Sequence, residues 1–313
     1  MNPPASATVY RGRFAPSPTG PLHLGSLYTA LAGYLQAKAR GGQWLLRIDD
    51  LDPHRTVSNS ADRIRYTLEA LGLHWDGPVL YQSQRTEHYR AALAELRSAG
   101  WVYPCTCSRK ELALASGENS LSPVYPGFCR SRREPTPHEP HALRIITAGI
   151  RISFLDRLQG TVTQDLATEI GDFILFRRDH VYAYHLATVI DDAEQNITEV
   201  VRGLDLLDST PRQIHLQQRL GLPTPGYAHI PILVDDGGRK LSKQTLAPEA
   251  EIRHPGAVLY RLLSLLKQNP PADLASASAA EALGWALGHW DIARLRGMSR
   301  IALDPAESSR NQP

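Results

Sequence analysis

The chain has 313 residues and carries 34 lysines and arginines against 32 aspartates and glutamates, so its formal net charge at pH 7 is only +2. Hydrophobic residues make up 42% of the chain and charged residues 21%, which is typical of a globular protein and excludes collagen-like, coiled-coil and disordered classes. The sequence has neither an apolar run as long as a membrane-spanning helix needs nor the basic and apolar segments of a secretory signal. We therefore expect a cytoplasmic enzyme of roughly two domains, with no membrane partner.

Residues 1–100 alternate short apolar runs with helical patterns, which predicts half of a parallel α/β sheet. Strands are predicted at 9–14 and 44–48, and helices at about 26–40, 59–71 and 84–99. This rhythm indicates a doubly wound Rossmann-type unit, in which ligands bind at the carboxyl ends of the strands.

The pattern breaks at residues 101–171, which contain all the cysteines and a segment rich in arginine and proline, and which we interpret as an inserted subdomain. The α/β rhythm returns at 172–247, with strands predicted at 173–176, 198–202 and 230–234 and a helix at 211–220 capped by Thr210. Residues 248–313 follow helical patterns and predict a short helical C-terminal region.

One motif places a proline-rich turn at 15–21 directly before His23-Leu24-Gly25-Ser26 at the start of a helix. The free N–H groups of a helix start form a preformed anion site. Gly25 allows an adenine or ribose to lie on the backbone, and His23 can donate to a phosphate oxygen. The alternative is a loop in which the prolines only stiffen a connection, and a four-residue pattern alone does not decide between them.

A second motif, Lys240-Leu241-Ser242-Lys243-Gln244, follows a predicted strand and an acidic, glycine-containing turn. Two lysines on a loop can neutralise the charge that develops on a transferring phosphoryl group. Alone, the segment is also compatible with an ordinary basic loop. The two motifs together, in this order, are far more specific than either.

A third cluster consists of Cys105, Cys107, Tyr125 and Cys129, which present three thiols and one phenol. Three thiolates suit a tetrahedral zinc ion, although tyrosine is an uncommon ligand. Spacing alone leaves open the alternative of three reduced, buried thiols. Three arginines that follow the cluster indicate either a basic surface that faces RNA or a solvated charged loop: Arg130, Arg132 and Arg133.

The two motifs together resemble the H-I-G-H and K-M-S-K-S signatures of class I aminoacyl-tRNA synthetases, and residues 13–20 are similar to the glutamyl-tRNA synthetase group in particular. The agreement covers about residues 9–245 and includes the segments 47–52, 184–187, 191–192 and 201–203. Only about 65 residues follow the lysine motif, too few for the helical anticodon-binding region of the full-length enzymes. The chain thus resembles a truncated branch of the family, which attaches glutamate to the queuosine base of tRNA(Asp).

The resemblance implies a role for each residue that matches the family pattern. ATP binding falls to residues in both signature motifs, with His23 and Lys243 also catalytic: His23, Gly25, Ser26, Lys240, Ser242 and Lys243. The resemblance assigns glutamate binding to the first strand and turn and to three later positions: Arg13, Phe14, Ala15, Pro16, Ser17, Asp49, Tyr184 and Arg202. It implies that Cys105, Cys107, Tyr125 and Cys129 bind one zinc ion per chain and that Mg²⁺ accompanies ATP.

Charge chemistry agrees with the implied glutamate site. Arg202 can pair the side-chain carboxylate of glutamate bidentately, Arg13 can serve the other carboxylate or a phosphate, and Asp49 can take the ammonium group. Asp191 and Asp192 either orient this pocket or cap a helix.

Three positions depart from the family pattern. Asp49 stands where the family usually has glutamate, which draws the carboxylate back by roughly 1.5 Å. Ser26 replaces the second histidine of the first motif and Gln244 the last serine of the second, and both changes fit the truncated branch.

We therefore expect a monomeric enzyme whose partners are ATP, L-glutamate and tRNA(Asp) bearing queuosine. It activates glutamate to glutamyl-adenylate without tRNA and then transfers it to the queuosine base. Three alternatives remain: a minimal glutamyl-tRNA synthetase that charges the tRNA acceptor end, a catalytically silent RNA-binding paralogue, and, least favoured, a small-molecule nucleotidyltransferase.

Overall fold

The computed structural model describes residues 9–108, 110–112, 124–125, 127–131, 140–235, 237–239 and 254–303. The α-helices in these ranges are Leu24–Lys38 (α1), Ser60–Ala70 (α2), Thr86–Ser98 (α3), Leu166–Glu169 (α4), Tyr184–Glu194 (α5), Ser209–Arg219 (α6), Pro255–Leu265 (α7) and Ala279–His289 (α8). The strands are Arg11–Phe14 (β1), Gln43–Ile48 (β2), Leu80–Tyr81 (β3), Val102–Cys105 (β4), Ala142–Ile145 (β5), Arg151–Asp156 (β6), Gly160–Asp165 (β7), Ile174–Phe176 (β8), Glu199–Gly203 (β9), Gly226–Ile230 (β10), Ile232–Val234 (β11) and Arg300–Ala302 (β12).

The central sheet is mainly parallel, as expected of a doubly wound fold. β1 pairs in parallel with β2, and β2 with β3. On its other side β1 meets the start of β9, where the backbone N–H of Thr198 donates to the carbonyl of Arg11 at 2.9 Å. β9 pairs in parallel with β10, and β10 with β6. The resulting order, β3-β2-β1-β9-β10-β6, brings the carboxyl ends of β1 and β9 side by side, which is where this type of sheet binds ligands.

Residues 101–171 contribute to two structures of different kinds, one of which also takes in β8 from beyond residue 171. β4, β5 and β8 make a separate antiparallel sheet, next to which lies the cysteine cluster. β6 and β7 form an antiparallel hairpin, and β6 also joins the central sheet through β10. The domain boundaries proposed from the sequence stay a prediction.

The core of the first half packs α1 against β1 and β2. α1 is buried along Leu27, Leu31 and Leu35, as the helical spacing of the sequence predicts, and also at Leu24, before the predicted start of the helix. Trp44 on β2 is completely buried and stacks on Phe14 with ring centroids 6.1 Å apart. α7 and α8 pack on the same core, as the helical pattern beyond residue 248 predicted. None of the described helices is long and apolar enough to cross a membrane.

Two local predictions were wrong for identifiable reasons. Thr210 does not cap α6, because the helix begins at Ser209 and the completely buried Thr210 hydroxyl contacts a tertiary partner instead. The strand predicted at 230–234 is two strands, β10 and β11, separated by Pro231. Proline has no N–H to donate to a strand ladder, so the chain changes sheet at this residue and β11 pairs with β12.

Candidate active site

A cavity of about 300 Å³ opens at the carboxyl ends of β1 and β9 and at the start of α1. Ten of the predicted site residues line it: Arg13, Phe14, Ala15, Pro16, Ser17, His23, Gly25, Ser26, Tyr184 and Arg202. The sequence prediction missed Thr19, Tyr28, Asp205 and Pro231, which also line the cavity. Asp205 carried a usable signal, because it lies two residues after the carboxyl end of β9. Lys240, Ser242, Lys243 and Gln244 lie outside the described residues.

The start of α1 presents an anion site. His23 is the residue that caps the helix, and its Nδ1 accepts the backbone N–H of Ser26 at 3.3 Å. Because Nδ1 accepts, the neutral ring carries its proton on Nε2, which lies 3.0 Å from the Ser26 hydroxyl and donates to it. A side chain at Gly25 would come within 3.2 Å of the His23 ring, so glycine is what allows the ring to fold back. The first turn carries no acidic residue to offset the partial positive charge of the helix start.

Arg13 is held by a carboxylate of the protein itself. It lies on β1, is only 6% exposed, and donates from Nε to Asp192 Oδ1 at 3.1 Å and from Nη2 to Oδ2 at 3.4 Å. Arg47 on β2 also donates to Asp192, at 2.6 Å. Burial raises the pKa of Asp192, but the two arginines outweigh burial and hold it below its usual range. One edge of the Arg13 guanidinium is therefore occupied, while the residue still lines the cavity.

The structure does not bring Asp49 to the lining of the cavity. Its carboxylate accepts a hydrogen bond from Arg47 Nε at 2.8 Å, and its backbone N–H donates to the carbonyl of Pro16 at 3.0 Å. Burial raises the pKa of the Asp49 carboxyl to about 6, although Arg47 acts to lower it. The short side chain thus lies one layer behind the cavity wall, against a completely buried arginine.

Asp191 and Asp192 both lie within α5 and cap no helix, and Asp192 contacts the cavity-lining Arg13. Asp191 is completely buried and accepts hydrogen bonds from Gln82 at 2.7 Å, from Arg85 at 2.7 Å and from the Tyr89 hydroxyl. These contacts attach α5 to the start of α3. The sequence left this role open because helix capping and pocket orientation use the same residue type.

Arg202, the fourth residue of β9, is 3% exposed and reaches the cavity beside Tyr184. Its Nη1 donates to Gln213 Oε1 at 2.9 Å, its Nη2 to Thr210 Oγ1 at 2.7 Å, and its Nε to His229 Nε2 at 3.0 Å. The Tyr184 hydroxyl lies 3.5 Å from Nη1, at the limit of a hydrogen bond. The side chain is therefore fixed from behind by three residues that the sequence analysis did not assign to the site.

The cysteine cluster fits a tetrahedral metal ion. The sulfurs of Cys105, Cys107 and Cys129 lie within 4.8 Å of one another, and Cys107 and Cys129 are 3.6 Å apart. The Tyr125 oxygen lies 3.4 Å from the sulfur of Cys105 and 3.7 Å from that of Cys107. Four ligands around a zinc ion with Zn–S bonds of about 2.3 Å have ligand–ligand distances of roughly 3.8 Å, so little movement is needed.

A buried aspartate, Asp172, connects the cysteine cluster to the rest of the fold. Its carboxylate accepts two hydrogen bonds from Arg130, at 2.6 and 2.9 Å, and one from the Tyr103 hydroxyl at 2.6 Å. The Arg144 guanidinium lies 4.1 Å above the Tyr125 ring. Arg130 therefore braces the cluster from inside, while Arg132 and Arg133, two of the arginines predicted to form a basic surface, lie outside the described residues.

Comparison with known proteins agrees with this architecture. Residues 9–255 match the family described as tRNA synthetases class I (E and Q), catalytic domain. A glutamyl-Q tRNA(Asp) synthetase from Methylococcus capsulatus is 55% identical over 301 residues, which is 96% of this chain and 98% of that protein. Another, from Pseudomonas aeruginosa, is 49% identical over 91% of this chain and 95% of that protein.

Solved structures give the same assignment. A glutamate tRNA ligase from Elizabethkingia meningosepticum, crystallised in complex with its amino acid, superposes with a TM-score of 0.77 and 28% identity over 93% of this chain and 66% of that chain. A glutamate-tRNA synthetase from Elizabethkingia anophelis superposes with a TM-score of 0.79 and 27% identity over 96% of this chain and 69% of that chain. The chain thus spans about two thirds of these ligases. It belongs to the class I tRNA synthetase family for glutamate and glutamine, a family of ligase-type enzymes, in which it groups with the glutamyl-Q tRNA(Asp) synthetases.

Proposed function

We propose that the chain activates L-glutamate with ATP, in the absence of tRNA, and transfers it to the queuosine base in the anticodon of tRNA(Asp). The observation that carries this proposal is the single cavity that Arg13 and Arg202 share with the anion site at the start of α1. An amino acid with two carboxylates and a nucleotide triphosphate are the ligands that these charges suit.

In the first step, an oxygen of the glutamate α-carboxylate attacks the α-phosphate of ATP in line. A P–O bond forms, the bond to the β-phosphate breaks, and glutamyl-adenylate and pyrophosphate result. No protein nucleophile is needed, so positioning and charge stabilisation supply the catalysis. When ATP binds, the Nε2–H of His23 exchanges the Ser26 hydroxyl for a phosphate oxygen, and Ser26, Lys240, Ser242 and Lys243 also donate to phosphate oxygens. Gly25 receives the nucleotide, and Mg²⁺ would accompany ATP and offset phosphate charge.

The substrate lies along the segment from Arg13 to Ser17. Arg202 pairs the side-chain carboxylate of glutamate, and the Tyr184 hydroxyl closes the pocket beside it. Asp49 attracts the ammonium group from behind the cavity wall, through charge or through a bridging water. In the second step a hydroxyl of queuosine attacks the carbonyl carbon of the adenylate, and AMP leaves.

The names of the most similar relatives support this choice of acceptor. The matched glutamyl-Q tRNA(Asp) synthetase from Methylococcus capsulatus is covered over 98% of its length, whereas the glutamate tRNA ligase from Elizabethkingia meningosepticum is covered over 66%.

One zinc ion, held by Cys105, Cys107, Tyr125 and Cys129, stabilises the segment that Asp172 attaches to the fold.

Glutamate-dependent exchange of pyrophosphate into ATP, measured without RNA, tests the activation step. We expect exchange with glutamate and none above background with glutamine, because a neutral amide pairs poorly with Arg202. Absence of exchange with glutamate at saturating ATP and Mg²⁺ would contradict the proposal.

We expect kcat/KM for glutamate in this exchange to fall as the pH drops through about 6. The pKa of Asp49 is raised to about 6 by burial, so its carboxylate is protonated below that value and no longer attracts the ammonium group. The loss approaches a factor of about ten per pH unit for a single group. In Asp49→Asn this step should vanish and the neutral-pH value should be lower, whereas Asp49→Glu should keep a step. A profile that Asp49→Asn leaves unchanged would exclude this role.

Lys243→Ala should lower the rate of adenylate formation by roughly a hundredfold or more, because one charge that stabilises the phosphoryl group in the transition state is removed. The KM for glutamate should change little, since the two arginines bind that substrate. Single-turnover formation of adenylate measures the effect, with thermal unfolding as the control for folding. Near-normal activity would remove Lys243 from the proposed mechanism.

A further inference from the structure

We propose that His229 and Asp156, buried behind Arg202, position its guanidinium so that one fixed edge faces the cavity and selects a carboxylate over an amide. This inference rests on the proposed function, because it concerns the side-chain specificity of the same pocket. His229 and Asp156 are positioning residues, since neither lines the cavity.

Asp156 determines which nitrogen of His229 carries the proton. Its Oδ2 lies 2.6 Å from His229 Nδ1, and both side chains are completely buried. The Oδ1 atom of Asp156 accepts backbone N–H groups from Leu158 and Gln159, each at 2.9 Å. A carboxylate fixed in this way can only accept, so Nδ1 of His229 is the donor and Nε2 is the acceptor.

The acceptor nitrogen of His229 faces Arg202. Nε2 accepts Arg202 Nε–H at 3.0 Å and lies 3.1 Å from the Thr210 hydroxyl, which itself accepts from Arg202 Nη2 at 2.7 Å. In a neutral His229 the one lone pair on Nε2 accepts from Arg202 and is shared with the Thr210 hydroxyl. Burial lowers the pKa of His229; Asp156 opposes this effect and Arg202 reinforces it, which keeps the ring neutral at physiological pH.

A count of donors shows which edge of Arg202 is available. The guanidinium has five N–H groups, of which Nε–H goes to His229, one on Nη1 to Gln213 and one on Nη2 to Thr210. Each terminal nitrogen retains one N–H, with only the Tyr184 hydroxyl at 3.5 Å from Nη1 among the described residues. Because both Arg202 and Tyr184 line the cavity, these two N–H groups are the donors left for a ligand.

A fixed edge with two donors discriminates between carboxylate and amide. A carboxylate accepts from both nitrogens at once, whereas an amide offers one oxygen and sets its own N–H₂ against the second donor. If His229 could not accept, Nε–H of Arg202 would be left without its partner, and the guanidinium could rotate to present a different edge.

The test compares His229→Leu with His229→Gln in the exchange assay. Leucine removes the acceptor, whereas the glutamine oxygen can replace Nε2 and its amide can donate to Asp156. We expect His229→Leu to raise the KM for glutamate about tenfold or more, with the KM for ATP and kcat within about threefold, and His229→Gln to recover most of the loss. The preference for glutamate over glutamine should fall in parallel.

His215→Leu is the matched control. His215 is also completely buried and donates from Nε2 to the carbonyl of Ile146, but it does not line the cavity or contact Arg202. The His215→Leu substitution should lower stability without changing the KM for glutamate selectively.

Asp156→Asn provides an independent test. The new amide can donate to Nδ1 of His229, which leaves the proton on Nε2 and makes Nε2 a donor that opposes Arg202. Asp156→Asn should therefore act like His229→Leu.

The outcomes separate this inference from the proposed function. A wild-type protein without glutamate-dependent exchange contradicts the function itself, and the inference falls with it. A wild-type protein that exchanges, together with unchanged glutamate KM in His229→Leu and Asp156→Asn, overturns only the positioning role. Equal losses for glutamate and ATP, or no advantage of His229→Gln, also overturn it. If His229→Leu does not fold, the other two variants decide.

Discussion

We expect Arg202→Met to lower kcat/KM for glutamate by roughly a hundredfold to a few thousandfold in the exchange assay. Arg202 is 3% exposed and lies in the cavity wall, so the substrate carboxylate it pairs is largely removed from water. Removing one partner of such a pair leaves the other charge buried without compensation, which costs about 3–5 kcal/mol. We expect the loss mainly in the KM for glutamate, with the KM for ATP little changed.

Two further variants sharpen this measurement. Arg202→Lys keeps the charge but not the planar pair of donors, so its loss should be intermediate and its preference for glutamate over glutamine weaker. Arg157→Met is the control, because Arg157 is 45% exposed, pairs with Glu199 and does not line the cavity. A normal glutamate KM in a folded Arg202→Met protein would exclude Arg202 from carboxylate binding.

Cys107→Ser should remove the zinc ion and lower the free energy of unfolding by several kcal/mol. Binding energies of structural zinc sites contribute directly to folding, about 10–16 kcal/mol in small zinc domains. We expect part of such an energy to hold the cluster next to β4. Cys107 is only half-buried, so the serine itself disturbs packing little. Metal analysis of the purified protein and denaturant unfolding measure the two effects.

Wild-type protein stripped by a chelator provides the control for this variant. If the metal accounts for the lost stability, the stripped wild type and Cys107→Ser should unfold alike, and added zinc should restore only the wild type. One zinc per chain in Cys107→Ser, or a wild type purified without zinc and equally stable, would contradict the site.

The first half of the site was predictable because its determinants are local. Arg13 to Ser17 and His23 to Ser26 are neighbours in sequence, and a strand, a turn and a helix start bring them into one cavity whatever the rest of the chain does. The helical spacing of α1 and the buried strand β2 carried equally direct signals. Resemblance to a family added Tyr184 and Arg202, which lie far away in sequence, and the structure places both in the same wall.

The remaining features depend on partners distant in sequence. The orientation of Asp49 follows from Arg47, which Asp192 also holds from 145 positions away, and residue type at position 49 does not reveal this. Asp156 and His229 are 73 positions apart, and His229 has no spacing that marks it among the histidines. By sequence, Thr210 matches a helix cap, but its hydroxyl accepts a hydrogen bond from Arg202 instead. A buried guanidinium without an acceptor costs more free energy than an uncapped helix end that water can reach.

The central claim is that glutamate goes to the queuosine base of tRNA(Asp). The most direct test is transfer of labelled glutamate, with ATP, to tRNA(Asp) with and without queuosine and to tRNA(Glu). We predict that label goes to queuosine-containing tRNA(Asp) alone. The same tRNA should still accept label after periodate has oxidised its 3′ end, provided that the queuosine diol was protected during the oxidation only. Transfer to the 3′ end of tRNA(Glu), or transfer to tRNA(Asp) that does not depend on queuosine, would contradict it.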